Sequence, residues 1–540
     1  MTKKLVAIIL ALTLSISVFM VPASAASAVA PQTLEINVEN VLNRVLNDLI
    51  HYVLTYLNKF WPGFDSNFDT SESYVAEHFY KGEETFDKTV KSNAKWSLGY
   101  SSDSLIDDFD IMNGEFFLAG SLEVFEGRVP RAVYDDQRVR VYAISDGVSG
   151  TVVHAVIDGF GFARGDVEVI RGRLEEFAKA NNIISMNVSV LHQHSCIDTL
   201  GMNIPLLKGL VTNTGNAGTG TVFGENLLDD YMVTKNPEFM ENLYVTTVAC
   251  VEEAVNDMTT GTLNYGYANI KEYIRDKRDP QSFDENIHRL RFTPDDGTEE
   301  TWILEAGIHC TGYGAGPDIL SADYPYYIEK NIKEREGANV VFIQGAELAI
   351  TSQGDLTNVE GESDLNNIKY YANALADKVR DIKNEIKLQP VLNIVHSEVK
   401  VPVDNGILTL ACREGILASV VTKDGEDYTL VSEVGYMELG NEVAVFFAPG
   451  EFDPSIFYGG VTTPKDSWNG ESWDYPALKD ITDCKNVLVF GLANDQGGYV
   501  LADNEYHSLI GENEEVNAIS KKSGSTFVNS PSVVIASSAP

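Results

Sequence analysis

Histidine is scarce in this chain, nine among 540 residues, yet His192 and His194 stand two apart in the run His192-Gln193-His194-Ser195. The residues before them, Ile183–Leu191, are apolar and β-prone, and read as a strand that delivers the pair into a turn. Positions i and i+2 of an extended chain share a face, so both imidazoles can enter one pocket. One ring can then bind a metal while the other moves protons. A lone pair of this kind is weak evidence, because such histidines also occur on surfaces and in cores. Three later segments repeat the pattern of an apolar run that ends in a polar side chain. Trp302–Ile308 ends at His309, and Val443–Phe447 leads through Ala448-Pro449-Gly450 to Glu451. Asn486–Phe490 leads through Asn494 and Gly497-Gly498 to Tyr499. Two imidazoles, a carboxylate and a phenol form an N/O donor set suited to zinc, and a position left to water or substrate makes such a centre catalytic. Taken singly, Glu451 reads as a surface carboxylate and Tyr499 as an ordinary strand tyrosine.

The elements that must position these residues alternate between strand and helix. Arg138–Ile144 and Thr151–Ile157 read as paired strands around Asp146-Gly147, followed by a helix near Asp166–Ala180 and then the histidine strand. Further strands are expected at Trp302–His309, Val340–Gln344, Val443–Phe447 and Asn486–Phe490, with helices at Pro237–Met258 and Leu365–Lys387. The fold class expected is α/β: mixed β-sheets with interleaved helices in a single large catalytic domain over 94–515, preceded by an amphipathic helix. That helix is expected over 34–61, from apolar residues spaced three and four apart and a stop at Pro62-Gly63. It packs on the domain or on a second copy of the chain; its few basic residues, Arg44 and Lys59, argue against a membrane surface. Residues 64–92 read as an acidic linker or irregular arm, and 516–540 as a last strand and tail. The glycines of Gly209–Gly224 lack the strand, helix and lysine of a nucleotide loop and read as a mobile loop near the site. His288 and His396 lie in β-like runs and read as structural.

Charge narrows the partners. Forty Lys and Arg against 79 Asp and Glu give a formal net charge of −39. Such a surface repels phosphate backbones and anionic headgroups, which excludes nucleic acid as a favoured partner and leaves neutral, zwitterionic or lipid-like substrates. Lys3 and Lys4, the apolar Leu5–Met20 and Ala23-Ser24-Ala25 have the order of a secretory leader, so residues 1–25 are expected to be removed and the protein exported. No later stretch is long and apolar enough to span a bilayer. Five cysteines, Cys196, Cys250, Cys310, Cys412 and Cys484, show no paired spacing. Cys196 and Cys310 adjoin site histidines and could be ligands or a disulfide; small buried hydrophobes are the favoured reading.

Over about residues 94–515 the chain resembles the neutral/alkaline non-lysosomal ceramidase family. The resemblance rests on Leu191-His192-Gln193-His194-Ser195, on His309-Cys310-Thr311 after an apolar strand, on Pro449-Gly450-Glu451-Phe452, and on Asn494–Tyr499 followed by Glu505-Tyr506. Tyr134-Asp135-Asp136 and Val156-Ile157-Asp158 fall where similar family motifs do. The resemblance implies one Zn2+ held by His192, His309, Glu451 and Tyr499. It implies that His194 is the general acid/base and that Arg275 or Arg278 supplies a cationic contact. The family's active-site serine is matched best by Thr351, with Ser352 one place off and no proline after it. The family's C-terminal β-sandwich has no counterpart in the short stretch after Tyr506.

The expected function is an exported, zinc-dependent amidohydrolase that cleaves the N-acyl bond of a ceramide-like lipid into fatty acid and sphingoid base. Two alternatives stay open. One is a hydrolase of another amide or ester; the other is a cell-surface binding protein on the same scaffold without the chemistry. Self-association through the 34–61 helix is a further expectation.

Overall fold

Strands that are apolar on both faces must be covered on both sides, and that requirement organises the fold. The main sheet contains β1 (Ser97–Ser104), β2 (Arg138–Ser145), β3 (Thr151–Ile157), β4 (Ile183–Val190), β5 (Thr259–Asn269), β6 (Asn286–Pro294), β7 (Thr301–Ala306) and β8 (Asn339–Gln344). They run in the order β8-β7-β6-β5-β1-β2-β3-β4, and the short strand Ile386–Lys387 pairs with β5 as a ninth. A second sheet of five strands contains β9 (Leu392–Pro402), β10 (Val421–Asp424), β11 (Asp427–Leu439), β12 (Val443–Phe447) and β13 (Asn486–Phe490), in the order β9-β11-β12-β13 with β10 on β11. The computed structural model describes residues 74–120, 128–201, 235–312, 318–352, 363–403, 405, 418–424, 427–467, 470–506 and 518–538. The expected leader, the 34–61 helix, the glycine-rich 209–224 segment and Cys412 lie outside these residues.

Period-two alternation distributes the strand side chains between the layers. On β2, Val139, Val141 and Ala143 join Val167 and Ile170 of α1 (Arg164–Arg173) in one buried cluster. Helix α2 (Glu175–Ala180) follows α1, and α3 (Pro237–Asn256) adds Phe239 and Leu243 to the same cluster. The alternate residues Tyr142 and Ile144 turn to the opposite face and share a core with Val445, Phe447, Leu488 and Phe490 of the second sheet. The outer face of that sheet, with Tyr436, Phe446 and Val489, is covered by Phe527 and Val533 near the C-terminal end. Helices α4 (Asp323–Glu336) and α5 (Asp364–Arg380) pack on the far end of the main sheet through residues such as Ile328, Ile332, Leu375 and Val379. The result is one α/β domain whose two mixed sheets stack between layers of helix.

Within the two large sheets, three strand pairs are parallel: β3 with β4, β7 with β8, and β12 with β13. The first is joined through α1 and α2, the second through α4. Loops leaving the carboxyl ends of such strands are where open α/β sheets place their ligands. Here those loops carry His192, His309, Glu347, Glu451 and Asn494.

Three boundaries differ from the sequence expectation. The helix expected over Leu365–Lys387 ends at Arg380, and Ile386–Lys387 instead pairs with the β5 edge. The strand expected over Trp302–His309 ends at Ala306, so His309 lies on a loop. The segment after 516, expected as a strand and tail, forms two short helices, Ser523–Val528 and Pro531–Ser538. Pro531 cannot donate to a ladder but suits a first helical turn, and Val533 and Ala536, three apart, are buried together with Ser532. The described part of the irregular arm docks on β9: Glu83 N donates to Ile394 O at 2.9 Å, and His396 N to Lys81 O at 2.7 Å.

The two sheets are tied by a buried ionic node on β11. Glu433 accepts from Arg171 at 2.8 and 3.0 Å, from Arg164, and from Asn494 at 3.0 Å. Burial alone would raise its pKa, but the two guanidiniums hold the carboxyl well below its ordinary value. Its folded value lies below its unfolded one, so this stabilisation is full above the ordinary carboxylate range and is lost as pH falls toward the folded value. Glu433→Ala, which takes away the fully buried carboxylate of two buried guanidiniums and leaves them only the longer contacts to Glu168 and Glu398, is expected to lower stability by about 3 kcal/mol at neutral pH. It should also flatten the acid limb of the stability curve, and urea midpoints across the acid range measure both effects.

Candidate metal centre

The histidine strand stops at Val190, and His192 takes the left-handed region with φ 54°. The two imidazoles therefore meet in one pocket through a turn rather than through strand alternation. Gln193 between them points away and is fully buried. Its Nε2 donates to Asp158 Oδ1 at 2.7 Å and to Ala322 O at 2.8 Å. Asp158 is anchored in turn by Arg140 at 2.7 Å and by the Arg138 amide at 2.8 Å. Asp135 holds the start of α4, accepting from the Ser321 and Tyr327 hydroxyls and the Ala322 amide. Burial raises its carboxyl to about 6 against these hydrogen bonds. Both aspartates thus have positioning work on either side of the histidine turn.

His309 leaves β7 and hydrogen-bonds through its amide to Ile350 O at 3.0 Å. Glu451 follows β12, and its short strand Glu451–Phe452 pairs in parallel with Tyr499–Val500, setting Glu451 beside Tyr499. Glu451 Oε2 lies 3.3 Å from His192 Nε2 and 3.1 Å from His309 Nε2. Gln496 Nε2 donates to the other oxygen at 3.2 Å. Tyr499 packs with Leu348, Leu501 and Ala518.

Each imidazole is oriented by a backbone carbonyl on Nδ1: Phe160 O for His192 at 2.8 Å, Gly120 O for His194 at 2.8 Å, and Glu347 O for His309 at 2.9 Å. With the proton held on Nδ1, each ring in its neutral form presents an Nε2 lone pair. Gly120 permits this for His194: its φ is 98°, and a Cβ there would come within 2.4 Å of His194 itself. The Phe160 ring stacks on His192 at 4.5 Å and stands edge-on to His194 at 5.0 Å.

Two overlapping groups of donors converge. His192, His194 and His309 form one, and His192, His309, Glu347 and Glu451 the other, with ligand atoms within 4.8 Å of one another in each. His194 Nε2 and both carboxylate oxygens of Glu347 are buried without a hydrogen-bond partner. Oriented Nε2 atoms, orphaned carboxylate oxygens and a mixed N/O set fit a divalent cation. Burial, with His194 and His309 as neighbours, drives the His192 pKa well below its ordinary value. Burial likewise takes His194 down to about 3. For His309 burial also lowers the pKa, but Glu347 and Glu451 outweigh it and raise it to about 9. Burial places Glu347 well above the ordinary carboxylate value.

The remaining residues singled out from sequence divide. Thr351 and Arg275 are cross-strand partners, joined where Ile350–Ser352 pairs with Ile274–Asp276. Thr351 follows Ile350, whose carbonyl His309 contacts, and Arg275 is exposed. Arg278 is instead committed to Asp453 at 2.7 Å, two residues beyond Glu451. Cys196 and Cys310 are free thiols, and burial raises both well above the ordinary thiol value. His288 bonds Tyr265 and Asp284, and His396 bonds Ser185, as structural histidines do. Sequence reasoning missed Glu347, Gln496 and the exposed Lys277, whose charge acts on His194 and His309. The one available signal for Glu347 was a lone carboxylate in the small, apolar run Gly345–Ile350 after a strand.

Gln193→Ala would leave an Asp158 oxygen and the Ala322 carbonyl unsatisfied in the interior. It is expected to cost about 1–3 kcal/mol and to weaken metal binding by loosening the turn. Thermal unfolding and metal titration of the variant check the two effects.

No protein-family model matches the chain, and no curated protein does. Among solved structures it is similar to neutral ceramidase from Pseudomonas aeruginosa, with a TM-score of 0.59 and 13% identity over 82% of this chain and 75% of that one. It is also similar to a ceramidase complexed with C2, with a TM-score of 0.58 and 13% identity over the same shares. The likeness is one of architecture, and the chain is built on the fold that those ceramidases display.

Proposed function

We propose that this chain is a zinc-dependent amidohydrolase that cleaves the N-acyl amide of ceramide-like lipids into a fatty acid and a sphingoid base. We further propose that it is exported, with residues 1–25 as its leader. The observation that carries the reading is the convergence of His192, His309, Glu347 and Glu451, with His194 beside them, at the carboxyl ends of parallel strand pairs. The likeness in fold to neutral ceramidase supports the choice of reaction. The mixed imidazole and carboxylate donors support zinc among divalent cations. The formal net charge of −39 supports a substrate without an anionic headgroup. No helix among the described residues is long and apolar enough to cross a membrane.

Zinc, when bound, would polarise the amide carbonyl and lower the pKa of water. The chain's own residues supply orientation and proton movement. His194 keeps its proton on Nδ1 against Gly120 O and offers Nε2 to the pocket, so it can accept the proton of the attacking water. It then gives that proton to the amide nitrogen as the C–N bond breaks. The acyl carbon gains the hydroxyl, the nitrogen leaves as an amine, and His194 returns to its starting state. Phe160 shields the imidazoles from bulk water on one side. Thr351, next in sequence to the Ile350 whose carbonyl His309 contacts, carries a hydroxyl where the resemblance places a serine.

Purified protein is expected to release fatty acid from a labelled ceramide, and a zinc chelator to abolish that release. His194→Ala should lower kcat by about 10²–10⁴-fold with metal content unchanged, whereas His192→Ala should lose metal and activity together. A folded, zinc-loaded protein that leaves ceramide intact would remove ceramide as substrate. Folded protein that takes up no zinc and turns over nothing would favour a binding protein on the same scaffold.

A further inference from the structure

We infer that Glu347 is a direct metal ligand, which gives the centre two histidines and two carboxylates among its donors. This rests on the metal reading above and adds a donor that the sequence resemblance, with its single glutamate, does not contain. Glu347 is 0% exposed, and neither of its carboxylate oxygens has a hydrogen-bond partner. The nearest ring nitrogen, His309 Nδ1, is 3.7 Å from Oε2 and already faces the carbonyls of Glu347 and Ile350. A buried carboxylate cannot stay unsolvated and unpaired without a large free-energy penalty, so it needs a cation or a proton. The donors it meets answer which: one of its oxygens lies within 4.8 Å of a ligand atom of each of His192, His309 and Glu451.

The backbone holds the carboxylate there on purpose-built geometry. Ile350 N closes a turn on Glu347 O at 2.8 Å, with Ala349 in the left-handed region at φ 63°. Leu348 N donates across to Phe452 O at 3.2 Å, which ties this turn to the strand that carries Glu451. The two carboxylates are therefore fixed relative to each other by main-chain bonds. Two carboxylates also balance a dication, while imidazoles that ligate through an Nε2 lone pair add no charge. His194 stands outside the group formed by these four donors, which leaves it available for proton transfer.

The test compares wild-type protein with Glu347→Gln, both full-length and loaded with zinc alone, by metal content and chelator-competition affinity. Loss of an outer hydrogen-bonding partner weakens metal sites by roughly 10–100-fold, so loss of a direct ligand should exceed about 100-fold. Thermal unfolding of the metal-free forms controls for folding, and Glu347→Gln should melt no lower than wild type because neither carboxylate oxygen has a hydrogen-bond partner to lose. A crystal structure of zinc-loaded wild type gives an answer that does not depend on the variant. It should place a Glu347 oxygen about 2.0–2.2 Å from the metal. Wild type that binds one zinc while Glu347→Gln loses less than about 100-fold, or a zinc-loaded structure with Glu347 outside coordination distance, would overturn the inference alone. Wild type that binds no zinc would overturn it together with the metal reading.

Discussion

Burying ionisable groups together is the constraint on which the rest of this structure depends. His192, His194, His309, Glu347 and Glu451 share a pocket largely closed to water, where an unpaired charge is costly. The protein meets that cost with geometry. Backbone carbonyls fix three ring tautomers, and Gln496 occupies one Glu451 oxygen, so the atoms left over all face one point. What remains unsatisfied, two carboxylate oxygens and one imidazole nitrogen, is what a cation and a reacting substrate would use.

Such a pocket needs rigid walls, because a displacement of a few tenths of an ångström changes coordination and proton transfer alike. The walls are polar networks rather than apolar packing alone. Asp158 links Gln193 to Arg140, and Arg140 continues to Glu329 on α4 at 2.8 Å. Asn494, at φ 66°, accepts from the Val188 amide and donates to Asn187 and Glu433, so the loop toward Tyr499 is pinned to the histidine strand and to β11. Left-handed residues at His192, Ala349 and Asn494 cluster around the centre, as strained backbone does where side chains must be aimed.

Sequence legibility followed the physics of each element. Strands buried on both faces show as continuous apolar runs, so β2, β3, β4, β12 and β13 could be read with their ends nearly correct. The polar residue after each run was the visible sign of a site, and His192, His194, His309 and Glu451 do converge. Glu347 was not legible because a single carboxylate between Ala346 and Leu348 has no spacing to advertise it. Arg278 could not be assigned because its partner, Asp453, is brought to it by long-range pairing. The run Val533-Val534-Ile535 has strand propensity, yet tertiary packing on β9 and β11 makes it helical.

The different settings of the two imidazoles also follow from the turn at Gln193. Had the strand continued through His194, both rings would have projected in parallel and competed for the same position. Breaking the strand at His192 rotates the second ring nearly perpendicular to the first, at 82° with centroids 4.8 Å apart. His192 Nε2 then lies beside Glu451 Oε2, while His194 gives its Nδ1 to Gly120 O and keeps an Nε2 without a partner. One short motif thus sets two imidazoles at different angles to one pocket, and the buried glutamine between them anchors the turn that does so.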